Sequence, residues 1–133
     1  MKRYLKLYLS SAIIFLIVDL IWLIGVNQHF YAQQLGSLMG AVRLLPAVLF
    51  YMLFIVGLLY FVILPAVVAN RVEQAVYSGA LFGLICYATY DLTNLATLAH
   101  WPVLITVTDL IWGSFITSLT AGSVSWLALK RNW

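Results

Sequence analysis

Four long apolar stretches constrain the fold of this chain more than any other feature of its sequence. They cover approximately residues 7–26, 44–69, 75–98 and 103–129, and each is long enough to cross about 30 Å of hydrocarbon as an α-helix. Hydrophobic residues make up 65% of the chain and charged residues only 8%, which is more apolar surface than a domain of this size could bury from water. The sequence therefore predicts an all-α integral membrane protein, a bundle of four transmembrane helices.

The segments between these stretches are short, and no linker divides the chain. The apolar runs are continuous rather than alternating at every second residue, so helices are favoured over the strands of a barrel. We therefore expect residues 1–133 to form a single transmembrane domain in which consecutive spans are antiparallel neighbours. The longest connection, residues 27–43, mixes polar and apolar side chains in a way typical of a short helix at the membrane interface.

The basic residues indicate the orientation of the spans. In a four-span arrangement all but one of the 7 Lys and Arg residues fall on one side, and Arg43 alone falls on the other. Because cytoplasmic segments carry an excess of Lys and Arg, both termini are predicted to be cytoplasmic, an N-in/C-in topology. The net charge of +3 then indicates contact with anionic lipid headgroups rather than with nucleic acid. The residues on the cytoplasmic side are Lys2, Arg3, Lys6, Arg71, Lys130 and Arg131.

Three aspartates lie within the predicted spans, where a charged side chain costs about 2.5–3.5 kcal/mol on insertion scales. Asp19, Asp91 and Asp109 each lie about six to eight residues from the outer end of their span, which places them roughly 9–12 Å below the outer boundary. A shared depth is not expected of three unrelated structural residues, so we predict one intramembrane site in the outer half of the bundle. At least one carboxyl group should be protonated at neutral pH, because burial and mutual repulsion both favour the neutral form.

Each aspartate shares a helical face with aromatic or amide side chains at spacings of three and four residues. The opposite faces of the same helices are mostly aliphatic, as expected of surfaces that contact lipid. The polar faces of three spans are therefore expected to converge on one interior site. Its predicted ligand-binding residues are Asp19, Trp22, Tyr87, Asp91, Asn94, Asp109 and Trp112.

The segments around the aspartates also carry a resemblance to a known family. They read Val-Asp-Leu-Ile-Trp at 18–22, Tyr-Ala-Thr-Tyr-Asp-Leu-Thr-Asn-Leu-Ala at 87–96 and Thr-Asp-Leu-Ile-Trp-Gly at 108–113. They resemble the signatures of a small bacterial membrane family defined only as a domain of unknown function, DUF2177, and the resemblance extends over essentially the whole chain. It implies a four-helix, multi-pass protein of the bacterial inner (cytoplasmic) membrane. It implies no established reaction, substrate or catalytic residue.

Three functions are compatible with a buried aspartate cluster. The cluster can bind or translocate a proton, a cation, or a small amine or lipid-like ligand, with Trp and Tyr faces available for cation–π contact. Alternatively, the protein is a lipid-active enzyme in which one aspartate is a general acid or base. In the third alternative the aspartates are interhelical hydrogen-bonding groups that hold the bundle or a homo-oligomer together. Binding or transport is favoured because intramembrane ionisable residues usually serve a function.

The sequence does not indicate a metal or a cofactor. His29 and His100 are predicted at the outer surface rather than at the depth of the aspartates, so a tight metal site is not expected. No phosphate-binding glycine loop and no Cys/His ligand motif occurs in the sequence, and such motifs are what would indicate a nucleotide or a haem. The cofactor and the catalytic residue, if there is one, are left open.

Overall fold

The computed structural model describes residues 2–36 and 43–133, apart from the side chains of residues 27–29. Helix accounts for 90% of the structure, and the described residues form no strand. The predicted all-α class is therefore confirmed. Of the predicted interfacial segment 27–43, residues 37–42 lie outside the described part of the chain, as does the side chain of His29.

The described helices lie along the four apolar stretches, and the first extends beyond its stretch, 7–26, at both ends. Helix α1 covers Lys2–Trp22, continues as a π-helical segment over Leu23–Tyr31, and ends in the short α2 at Ala32–Leu35. Helix α3 (Leu44–Leu58), a second π-helical segment (Leu59–Ile63) and α4 (Leu64–Val68) follow one another without a break, and we refer to them together as the α3–α4 rod. Helix α5 covers Val72–Thr97 and helix α6 covers Val103–Lys130.

Three helical segments are long and apolar enough to cross a membrane, judged by length and composition among the described residues. They are Lys2–Val26, Leu44–Val68 and Val103–Lys130. Helix α5 is comparable in length, with 26 residues, but its sequence is more polar and includes Asp91 and Asn94. The apolar character predicted for the chain is thus present in the α1, α3–α4 and α6 segments of the structure.

Two of the 3 prolines occupy positions where a missing backbone N–H costs least. Pro46 lies in the first turn of α3, and Pro102 is the N-cap of α6, so both mark helix ends. Pro65 differs, because it lies at the start of α4 inside the continuous α3–α4 rod. A proline ring clashes with the carbonyl of the preceding turn, and the π-helical segment immediately before Pro65 provides a wider turn there.

Helices α5 and α6 pack against each other at very short range. Gly79 of α5 lies so close to α6 that a Cβ atom at this position would be 3.0 Å from the Cβ of Ala121 and 3.1 Å from the carbonyl oxygen of Thr117. In the same interface the hydroxyl of Ser118 donates a hydrogen bond of 2.9 Å to the carbonyl oxygen of Val76. Small residues at these positions allow the backbones to approach.

Helix α1 lies antiparallel to α6. At one end of this pair the ammonium group of Lys6 lies 5.8 Å from the ring centroid of Trp133, and further along it Trp22 contacts Trp112. The interior between α1, the α3–α4 rod and α6 is filled by fully buried apolar side chains, whereas many of the large aliphatic residues on the outer faces are exposed, as expected of surfaces that contact lipid. Fully buried members of this core are Leu7, Phe15, Leu58, Ile63, Ile116 and Val124.

Candidate functional site

A pocket of about 380 Å³ lies where α1, the first π-helical segment, α3, α5 and α6 meet. Its walls combine two carboxyl groups with tyrosine and tryptophan rings and a few aliphatic side chains. The lining residues are Asp19, Trp22, Leu23, Tyr31, Leu35, Tyr51, Tyr87, Tyr90, Trp101, Ile105, Asp109 and Trp112.

Asp19 enters the pocket from α1 and is only 6% exposed. The hydroxyl of Tyr51, in the second turn of α3, donates a hydrogen bond of 2.7 Å to its Oδ2 atom. The indole Nε1 of Trp112 on α6 approaches the Oδ1 atom at 3.4 Å, which is a long and weak hydrogen bond. Asp19 therefore has donors from two other helices and links α1 to both of them.

Asp109 enters the pocket from α6 and is 8% exposed. Its Oδ1 atom accepts a hydrogen bond from the hydroxyl of Tyr31. Tyr31 is the last residue of the first π-helical segment, so this segment, which continues α1, brings a donor to a carboxyl group on α6. A hydrogen bond to a charged group is worth about 1.5–3 kcal/mol, which helps to offset the cost of burying a carboxylate.

Asp91 differs from the other two aspartates. It is 0% exposed, and neither of its carboxyl oxygens accepts a hydrogen bond from any donor in the described part of the chain. In the register of α5 and α6 its carboxyl group lies opposite that of Asp109, and the two can share a hydrogen bond only when one of them carries a proton. Asp91 does not line the pocket.

Stacked and edge-on aromatic rings form much of the pocket wall. The rings of Trp22 and Trp112 are stacked, with centroids 4.2 Å apart and an interplanar angle of 13°. Tyr31 meets Trp22 edge-on at 6.5 Å. Across the pocket the rings of Tyr90 and Trp101 are perpendicular, with centroids 5.6 Å apart. Aromatic faces carry negative electrostatic potential, so a wall of this kind attracts cations.

The pocket has carboxyl groups but no basic side chain to balance them within the described residues. The one ion pair that these residues form joins Arg71 and Glu73 at 2.9 Å, and both of those side chains are exposed. Buried charges in proteins are normally paired. The carboxyl groups of this site must therefore be neutralised by protons, by a bound cation, or by both.

The structure brings together most of the residues that the sequence predicts for the site. Asp19, Trp22, Tyr87, Asp109 and Trp112 line one pocket, and the ring of Tyr87 packs directly over Gly113 of α6. That these residues contact a ligand stays a prediction.

Two predicted residues lie outside the pocket wall. Asp91 is fully buried opposite Asp109, and Asn94 is half-buried near Tyr90 rather than in the lining.

Four lining aromatic residues were not in the predicted site: Tyr31, Tyr51, Tyr90 and Trp101. For Tyr51 the sequence offered only a polar aromatic residue within an apolar stretch, and the structure shows that it lies one helical turn before the buried Phe54 and Ile55. For Tyr31 the sequence offered no signal. It does not fall on the helical face of Asp19 if the helix is a regular α-helix, and only the π-helical segment changes the direction in which it points.

An all-helical chain with apolar helices of membrane-spanning length, and with buried carboxyl groups facing an aromatic pocket, defines a helical membrane protein. The family comparison agrees with this class and confirms the resemblance found in the sequence. A family model described as "Predicted membrane protein (DUF2177)" matches residues 4–126, so the chain belongs to this family. No curated protein and no solved structure matches the chain.

Proposed function

We propose that this protein spans the inner (cytoplasmic) membrane four times, with both termini in the cytoplasm, and binds a small organic cation in the aromatic pocket. The single observation that carries the binding proposal is that Asp19 and Asp109 line one pocket with seven tryptophan and tyrosine rings. The proposal concerns binding, and transport of the bound cation would be an additional step.

Helix α5 supplies the additional span in this proposal. Its 26 residues correspond to about 39 Å of helix, which exceeds the roughly 30 Å of the hydrocarbon core. Helix α5 packs against the apolar helix α6. Its Asp91 is fully buried and therefore faces protein rather than lipid. A spanning helix can carry polar residues when they face the interior of the bundle.

The arrangement of charged groups supports the proposed orientation. Lys6 lies against Trp133, which brings both termini to the same end of the structure. Arg71 lies in the turn between α4 and α5, two antiparallel crossings away from the N-terminal end of α1, and so belongs to that same end. Arg43 precedes α3 at the opposite end. With the basic-rich end in the cytoplasm, the pocket opens towards the outer half of the membrane.

An organic cation suits the pocket better than a hard metal ion does. Each cation–π contact contributes about 0.5–2 kcal/mol, and the upper end of this range applies where water is excluded. The stacked pair of Trp22 and Trp112, together with Tyr87, presents aromatic surface beside two carboxyl groups. A hard metal ion would instead require a shell of oxygen ligands, and the described residues form no group of three His, Cys, Asp or Glu side chains able to hold one.

Tetraethylammonium is a suitable probe, because a quaternary ammonium keeps its charge at every pH. We expect the purified protein in detergent to bind radiolabelled tetraethylammonium saturably in a scintillation proximity assay. The Asp109→Asn variant should bind at least about tenfold more weakly, because it removes the charge that faces the pocket. Ser123→Ala is a matched control, since Ser123 is on the same helix but lines a separate cavity and not the aromatic pocket.

Two results would contradict the binding proposal. One is the absence of saturable tetraethylammonium binding by the wild type. The other is equal binding by the wild type and the Asp19→Asn and Asp109→Asn variants. If those two variants also melted at a higher temperature than the wild type, the aspartates would be interhelical hydrogen-bonding groups, because Asn retains hydrogen bonds without the burden of a buried charge.

A further inference from the structure

The register of the α5–α6 interface sets Asp91 opposite Asp109. Gly83 of α5 packs against Thr117 of α6, and one turn further along α5, Tyr87 packs against Gly113, one turn earlier on α6. The next step of four residues on each helix pairs Asp91 with Asp109. Because the helices are antiparallel and closely packed through their glycines, the backbone geometry sets the two carboxyl groups opposite each other.

The surroundings of the two carboxyl groups are unequal. Asp109 accepts a hydrogen bond from Tyr31, whereas both oxygens of the fully buried Asp91 lack a donor among the described residues. A donor stabilises the ionised form of the carboxyl group that it contacts. The negative charge of the pair is therefore favoured on Asp109, and a proton is favoured on Asp91, where it supplies the missing hydrogen bond.

The other ionisable groups near the pair are acidic or neutral. Tyr31 comes from the first π-helical segment, and Tyr87 and Tyr90 come from α5. Asp19 of α1 and Tyr51 of α3 lie across the pocket. No Lys, Arg or His side chain within the described ranges forms an ion pair with either carboxyl group. No positive charge would therefore balance a second negative charge on the pair. Two adjacent carboxyl groups in a medium of low dielectric constant do not both ionise.

We propose that Asp91 and Asp109 form a proton-binding site that retains one proton at neutral pH, with the proton on Asp91 and the charge on Asp109 facing the pocket. The pair itself follows from the packing of α5 and α6, and its part in holding a cation rests on the function proposed above. Asp91 is then a positioning residue. It donates a hydrogen bond to Asp109 and orients the carboxylate that meets the ligand.

The proton on the pair is directly observable by infrared spectroscopy of the ligand-free protein. A protonated carboxyl group has a carbonyl stretching band at higher frequency than carboxylates and amides. The chain has only 4 acidic side chains, and the fourth, Glu73, is exposed and paired with Arg71. We expect the band in the wild type at neutral pH, a shift of the band on labelling with ¹³C-aspartate, loss of the band in Asp91→Asn, and retention of the band in Asp19→Asn.

The affinity for tetraethylammonium is a second measurement, and it would not change if Asp91 had a purely structural role. Asp91→Leu removes the donor to Asp109 and should weaken tetraethylammonium binding by about tenfold. Asp91→Asn should restore most of that loss, because its amide also donates a hydrogen bond to Asp109. If Asp91 were instead ionised and used for its charge, Asn would be no better than Leu, and equal affinities for these two variants would overturn the assignment.

The infrared result stands independently of the ligand. Absence of the protonated-carboxyl band from the wild type would refute the proton-binding site, even if the Asp91 variants did not fold. Persistence of the band in Asp91→Asn would refute it as well. If the infrared pattern were as expected and tetraethylammonium did not bind, the proposed cation binding would fail while the proton-binding pair remained supported.

Discussion

At the scale of single residues, the buried carboxyl groups of the pocket are each held by a tyrosine from another element. Tyr51 donates to Asp19 across the α1–α3 contact, and Tyr31 donates to Asp109 across the contact between the first π-helical segment and α6. Each bond satisfies a buried polar atom and fixes one helix against another. A carboxylate without a donor is costly to bury in hydrocarbon. The need to satisfy the buried carboxyl group therefore also holds the two helices in place.

The Tyr51→Phe variant tests the importance of such a donor. It leaves Asp19 with only the 3.4 Å contact from Trp112, and loss of a hydrogen bond to a buried charged group should lower the free energy of unfolding by about 1.5–3 kcal/mol. Unfolding in mixed detergent, followed by circular dichroism, would measure this change. Tyr60→Phe is the matched control, because Tyr60 is in the same α3–α4 rod and is 68% exposed. Equal destabilisation by both substitutions would show that the bond to Asp19 contributes nothing specific.

At the scale of helices, the α5–α6 contact determines where the site forms. Gly83 lies against the backbone of Gly113 and the side chain of Thr117, and Gly113 leaves the space that the ring of Tyr87 occupies. The same interface sets Asp91 against Asp109. The small-residue face of α5 is thus a packing surface, and the same packing aligns two carboxyl groups.

Gly83→Ala should disrupt this alignment. Its methyl group would lie 2.5 Å from the hydroxyl oxygen of Thr117 and closer still to the carbonyl oxygen of Gly113, so α5 and α6 would have to separate. Overpacking of this kind costs about 1–3 kcal/mol, which should appear as a lower melting temperature in a thermal scan in detergent. Gly25→Ala is the control, since a Cβ atom at Gly25 would meet nothing within 4 Å. A Gly83→Ala protein as stable as the Gly25→Ala protein would show that the two helices do not depend on this close approach.

At the scale of the whole molecule, the basic residues and the helix directions both bear on which side of the membrane each terminus lies. Successive long helices run in opposite directions, and the Lys6–Trp133 contact brings the two termini side by side. An even number of crossings requires the termini to share a side of the membrane. Three crossings would place them on opposite sides, so the location of the termini decides whether α5 spans the membrane.

Cysteine labelling of intact cells measures this directly. In a Cys86→Ser background, a cysteine at Gln33 should react with a membrane-impermeant maleimide from outside, because Gln33 is exposed in α2 and the proposed topology puts α2 outside. A cysteine appended after Trp133 should react only after the cells are opened, because the positive-inside rule places the C-terminus in the cytoplasm. Labelling of both positions from outside would exclude the four-span arrangement.

The sequence by itself determined the class of this protein, the approximate ends of its helices, and the aspartates that enter its interior. These properties follow from local composition, since long apolar runs must become helices in lipid and a buried carboxyl group stands out against them. Asp19, Asp109 and their tryptophans could be predicted because each pair lies on one face of a single helix. Only the tertiary structure decided which donors reach them. Tyr31 depends on a π-helical segment, Tyr51 belongs to a different helix, and Asp91 is set opposite Asp109 by the register of two glycine-lined helices, none of which local periodicity encodes.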